Sequence, residues 1–223
     1  MEQLPIYISI SFILTTALTL GIFYFATGNS KTTLWILLSW LALQTGIGLS
    51  GFYTSTDSVP PRFILLLLPP LLAIILLFRT AKGRRYIDNL NIKFLTLIHL
   101  VRIPVELVLF CLFLQKVIPQ LMTFEGRNFD ILSGISAPFI YYFFFIKKTM
   151  GKKAMMVWNI ICLGLLFNIV THAILSAPFP FQQLAFEQPN IAIFYFPFVW
   201  LPGFIVPMVL FAHLATIRKL YLS

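Results

Sequence analysis

The chain has 223 residues, 59% of them hydrophobic and only 10% charged, with a net charge of +9 and a mean hydropathy of +0.92. An ordinary soluble domain carries about 25% charged residues, so the charge here is too sparse to solvate a globule of this size. The same numbers exclude a disordered chain and a basic nucleic-acid-binding domain, and two cysteines are too few for a disulfide scaffold.

What remains is an all-α integral membrane protein, read as one polytopic domain over residues 1–223. A helix crossing the hydrocarbon core needs roughly 20 mostly apolar residues. Seven such runs are expected, at 4–26, 31–53, 62–79, 93–118, 129–146, 154–176 and 190–217. Barrel strands do not fit, because Phe63–Leu68 and Leu71–Phe78 are apolar at every position rather than alternating. The opening MEQLP has an acid where a secretory signal would be basic, so the first span is expected to stay in place.

In the first span Ser11, Thr15 and Thr19 form a hydroxyl stripe, and the second adds Ser39, Gln44 and Thr45. Such residues serve as interhelical glue worth about 0.6–2 kcal/mol each, and Gln44 is also kept as a candidate on a polar path. The third run is short and has Pro69–Pro70 at its centre. Lys82–Lys93, KGRRYIDNLNIK, is the one connection on its side long enough to hold a lipid headgroup or a partner.

The fourth run carries the most expensive residues. In HLVRIPVE, His99, Arg102 and Glu106 fall at i, i+3 and i+7, on one stripe of a helix. Each ionisable group in a membrane costs at least about 2.5–3.5 kcal/mol on insertion scales, so each is a candidate site. Arg102 and Glu106, four apart, can pair directly, so the stripe is expected to be either a self-neutralised Arg102–Glu106 pair that holds the helix to its neighbours or a functional polar path. Pro104 between them withholds the amide that would bond the Leu100 carbonyl. Cys111 and Cys162 fall at different depths of different spans and are expected to be unpaired packing residues.

The fifth run contains Gly134 and Pro138, and EGRNFD before it reads as an external loop. Asn168 and His172, four apart on the sixth run near its outer end, are candidates for an outward-facing path or for packing. Ala177–Asn190 then reads as an interfacial aromatic segment or, less favoured, a lid. The seventh run has Pro197, Pro202 and Pro207 with Gly203 between, a pattern expected to kink or unwind the helix and act as a hinge.

Twelve of the 16 basic residues fall in the connections after runs one, three, five and seven, which places the N-terminus outside and the C-terminus in the cytoplasm. Glu2, Asp57, Glu125, Asp130 and Glu187 fall on the opposite side. Expected partners are therefore the bilayer, with anionic lipid at the cytoplasmic face of a cytoplasmic-type membrane, and a second copy or another membrane protein; nucleic acid is not among them.

The chain has no HExxH, GxSxG or Walker A motif, and no lysine inside the seventh run to hold a retinal. The pattern suits a small-molecule or ion transporter or channel, proton-linked, with His99, Arg102, Glu106, Asn168, His172 and Gln44 on its path. The alternatives are a non-catalytic receptor, sensor or partner subunit, and a haem- or metal-binding redox protein using His99 and His213. No metal set is favoured, because these histidines have no Cys or carboxylate cluster beside them.

Overall fold

The computed structural model describes residues 4–56, 58 and 61–222; Glu2 and Asp57, read above as external acids, lie outside the described residues. Every regular element among them is helical. Helix α1 (Ile6–Ala26) buries Ile8, Phe12, Thr15, Thr19, Phe23 and Ala26, spaced along one face, and leaves Ile6, Leu14, Leu18 and Phe25 exposed. A helix apolar all round that buries only one stripe is suited to lipid on the other. Its threonine hydroxyls donate back to carbonyls four residues earlier, Thr15 to Ser11 at 2.8 Å and Thr19 to Thr15 at 2.8 Å. The Thr15 and Thr19 hydroxyls are thus satisfied within their own helix rather than across a helix pair.

Helix α2 (Lys31–Leu49) starts at Ser30, whose hydroxyl accepts from the Thr33 amide at 3.3 Å. Helix α3 (Ile64–Arg79) includes Pro69 and Pro70 and turns by 94° at Thr80 into α4 (Ala81–Asn89), so the basic connection expected after the third run is itself a helix. Gly83 permits that bend, since a Cβ there would lie 2.3 Å from the Leu77 carbonyl oxygen. Arg218, from the end of the chain, grips the Asp88 carboxylate at 2.9 and 3.0 Å and holds that carboxyl below its ordinary range. The Asn91 amide donates to the Ala26 carbonyl at 2.8 Å, so the ends of α1, α4 and the last helix gather at one end of the bundle.

The fourth run spans Ile92–Leu114 as α5 (Ile92–Leu97), a 3₁₀ turn at Ile98–Val101 and α6 (Arg102–Leu114). The tightened turn falls just before Pro104, where the regular bonding pattern lacks a donor. The fifth run, expected at 129–146, is helical from Ile131 to Ile146. Helix α7 (Ile131–Tyr141) with its π turn Tyr142–Ile146 is too short to count with the long apolar helices, and it begins beside Arg102, midway along the preceding span. Gly134 allows that approach, a Cβ there lying 2.8 Å from Ile103 Cγ1 and 3.1 Å from the Ile103 nitrogen. The chain between α6 and α7 descends into the bundle, burying Val117, Ile118, Met122, Thr123 and Asn128. Non-helical backbone at such depth is tolerated where protein encloses it.

Helix α8 (Lys152–Leu175) is continuous. The seventh run is a correction: its helix is expected from 190, but the stretch before Trp200 holds only a 3₁₀ turn at Ala192–Phe194, and the long helix has a π segment at Leu201–Ile205 and continues as α9 (Val206–Leu222), through Lys219. Pro197 therefore precedes the helix, whereas Pro202 and Gly203 sit in the π segment and Pro207 in the first turn of α9. Pro207 has no amide to offer the Gly203 carbonyl, and the Trp40 indole donates to it instead at 2.8 Å. Trp200 reciprocates by donating to the Leu41 carbonyl at 3.2 Å.

Phe179 and Phe194 of the irregular stretch after α8 pack with Phe63 and Tyr53 into an aromatic cluster. Among the described residues, five helices are long and apolar enough to cross a membrane, or six if the bent α3–α4 pair is one span. This is a helical bundle of membrane type, in which α3 covers the expected third run and α7 with its π turn the expected fifth, both shorter than the five long helices.

Candidate functional site

Arg102, Glu106 and Asp130 are the only Lys, Arg, Asp or Glu residues buried among the described residues, and they are neighbours. The self-neutralised Arg102–Glu106 pair does not form. Arg102 Nη1 instead donates to Asp130 Oδ1 at 2.5 Å and to the Cys162 carbonyl at 3.4 Å. Asp130, read from sequence as an external acid, is buried because the loop carrying it turns inward. The Asn128 side-chain oxygen accepts the Asp130 amide at 3.0 Å, an Asx turn that holds the carboxylate toward Arg102.

Arg102 Nη2 lies 3.0 Å from His213 Nε2. A guanidinium can only donate, so that nitrogen accepts, and the ring hydrogen of neutral His213 sits on Nδ1, which donates to Asn159 Oδ1 at 2.9 Å. On the other side, Asn128 Nδ2 donates to Glu106 Oε1 at 2.5 Å and to the Met122 carbonyl at 3.0 Å. One network thus joins α8, α9, α6, the buried loop and the start of α7, ending at Glu106.

The network is incomplete in a specific way. His99 stacks on His213 with ring centroids 3.8 Å apart and meets Trp158 edge-on, yet neither of its nitrogens has a hydrogen-bond partner. Arg102 Nε, Thr216 Oγ1 and Glu106 Oε2 are buried and unpartnered as well. Orphaned buried polar atoms are uncommon in native structures, and a cluster of them marks a place where further groups or waters bind. The charge count is also uneven. Asp130 neutralises Arg102, while Glu106 has no cation of its own.

Beside Glu106 lies a cavity of about 80 Å³ between α3, α6, α8 and the π segment before α9. Glu106 and Asp130 are its only polar lining residues; Leu67, Leu109, Ala173 and Pro202 represent the rest. The remaining sequence candidates lie elsewhere. Gln44 is buried but accepts from the Tyr53 hydroxyl at 2.7 Å. Asn168 donates to the Arg127 carbonyl at 2.8 Å, and His172 Nδ1 bonds the Asn168 carbonyl oxygen at 2.8 Å. None of these three contacts is part of the network. Of the hinge candidates, Pro202 lines the cavity, Gly203 packs on Leu66, and Pro207 is buried one turn on.

His99 and His213 do meet, but not as a haem pair would. Axial imidazoles lie on opposite sides of a haem plane, for which rings stacked at 3.8 Å leave no room, and both nitrogens of His213 are already bonded. Among the described residues no group of three or more His, Cys, Asp or Glu is placed to hold a metal ion. Both cysteines are free.

Residues 60–221 match the family described as a domain of unknown function, DUF8737, over nearly three-quarters of the chain. The chain belongs to the DUF8737 family. The matched stretch runs from just before α3 into the last turn of α9 and contains every member of the network, whereas α1 and α2 precede it. No curated protein and no solved structure matches the chain.

Proposed function

We propose that this DUF8737 protein is a proton-linked carrier of a cytoplasmic-type membrane, with Glu106 as the group that gains and loses the proton. The observation that carries this reading is the Glu106 carboxyl itself, 2% exposed and on the wall of a cavity, with one oxygen fixed by Asn128 and the other without a hydrogen-bond partner. A buried carboxylate without a counter-charge is costly, so the site is completed by one proton or one cation. The Arg102–Asp130 pair is neutral by itself and holds the elements around that group.

Two structural features support movement. Helix α7 begins inside the bundle, and the π segment at Leu201–Ile205 borders the cavity; carriers place binding sites at interrupted helices of this kind. In this reading the short α3 and α7 complete seven crossings with the N-terminus outside. The basic end that includes Arg84, Lys93 and Arg218 then faces the cytoplasm and its anionic lipid.

The test is proton flux into proteoliposomes under an imposed potassium-diffusion potential, read with a trapped pH dye. Wild-type protein is expected to move protons, and Glu106→Gln to slow the flux by about tenfold or more, the size of effect expected for a functional intramembrane carboxyl. Equal flux in the two proteins, or wild-type flux no faster than in empty liposomes, contradicts the proposal.

A further inference from the structure

We infer that the cavity beside Glu106 binds an amphipathic organic monocation, an ammonium group on an apolar body, in competition with the proton. The inference rests on the carrier reading only for its transport consequence; the binding site stands on its own geometry. Asn128 Nδ2 fixes Glu106 Oε1, so the carboxyl is oriented with Oε2 as the free acceptor. Asp130, the other polar group on the wall, is committed to Arg102.

The wall chemistry discriminates among ligand classes. No basic residue lines the cavity, so an anion would meet only carboxyl groups. A bare metal cation takes several oxygen ligands, and one free oxygen on an otherwise apolar surface does not supply them. A neutral apolar molecule fills the space but leaves Glu106 to its proton. An ammonium donates to Oε2, neutralises it, and sets its hydrocarbon against Leu67, Leu109 and Ala173. The volume, about 80 Å³, is smaller than the roughly 150 Å³ cavity that accommodates benzene. The ligand therefore enters head first, with its apolar body extending between the helices or displacing the π segment.

Because the ammonium replaces a proton, binding releases one: the carboxylic O–H of Glu106 gives its proton to buffer, and the carboxylate left behind pairs with the ammonium. The probe is phenethylammonium chloride, titrated calorimetrically into the purified full-length protein in mild detergent, at neutral pH, in two buffers of different ionisation enthalpy. Saturable binding is expected with about one proton released per ligand. Neutral phenethyl alcohol and anionic 3-phenylpropionate are expected not to compete. Glu106→Gln should weaken amine binding by about 30-fold or more and abolish the release, as for loss of one partner of a buried charge pair. Ala173→Leu fills the wall without touching a carboxyl and should weaken binding too, which keeps the test decisive where Glu106→Gln folds poorly.

Alcohol binding as tight as the amine's overturns the inference, as does amine binding unchanged in both variants. Proton flux lost in Glu106→Gln with no amine binding removes the cation and leaves the carrier standing. Amine binding with proton release, but no flux in proteoliposomes, keeps the site and removes the carrier.

Discussion

Arg102→Met is expected to cost about 3–5 kcal/mol of stability, the usual effect of stranding one member of a buried ion pair. The Asp130 carboxylate, 5% exposed, would lose its only counter-charge, and His213 Nε2 would lose its donor. Asp130→Asn strands Arg102 in turn and should be similarly destabilising. The double variant Arg102→Met with Asp130→Asn removes both charges and is expected to recover much of the loss, although the contacts of Arg102 to His213 and the Cys162 carbonyl remain missing. Denaturant unfolding of the four proteins in mixed micelles forms the cycle. Losses that simply add in the double variant would show that the two charges do not stabilise one another.

The second large effect belongs to Gly134. A Cβ at this position lies 2.8 Å from a side-chain carbon of Ile103 and 3.1 Å from its backbone nitrogen, and the backbone cannot give way without shifting α6. Gly134→Val should therefore push α7 off α6, costing about 1–3 kcal/mol from overpacking alone, with further loss as Asp130 is drawn from Arg102. Gly164 on α8 is the control: a Cβ there meets nothing within 4 Å, and Gly164→Ala should be neutral or stabilising by up to about 1 kcal/mol through helix propensity. Thermal midpoints in the same detergent test the contrast. Equal midpoints for the two variants would mean that the α6–α7 approach is not tight.

Much of the bundle was legible because lipid-compatible helices announce themselves by long apolar runs. The limits appear where local sequence is silent about depth. Residues 129–146 look like a crossing because they are apolar, but nothing in them reveals that Asp130 starts the helix inside the protein. The signal that could have found it was the unbalanced Arg102, which needed a carboxylate, together with the Asn128-x-Asp130 pattern of an Asx turn facing inward. Pairing by the i, i+4 rule favoured Glu106 instead. Glu106 sits near Arg102 on the helix, yet a partner delivered by the buried loop outcompeted it.

The histidines show the reverse case. His99 and His213 lie 114 positions apart in the sequence, and only tertiary packing shows that their rings stack and that Asn159 and Arg102 occupy both nitrogens of one of them. The prolines of the seventh run were visible, and so was the need for substitute donors. That Trp40 from α2 serves Gly203 was not, because the donor comes from a helix far earlier in the chain.

The central claim is that Glu106 carries the exchangeable proton of the buried site, and infrared spectroscopy of the protein in lipid tests it most directly. A carbonyl-stretching band of a protonated carboxyl is predicted in the wild type at neutral pH, lost in Glu106→Gln and retained in Glu125→Gln, a change at an exposed position of the α6–α7 connection. A band that survives Glu106→Gln, or no such band in the wild type, would contradict the account.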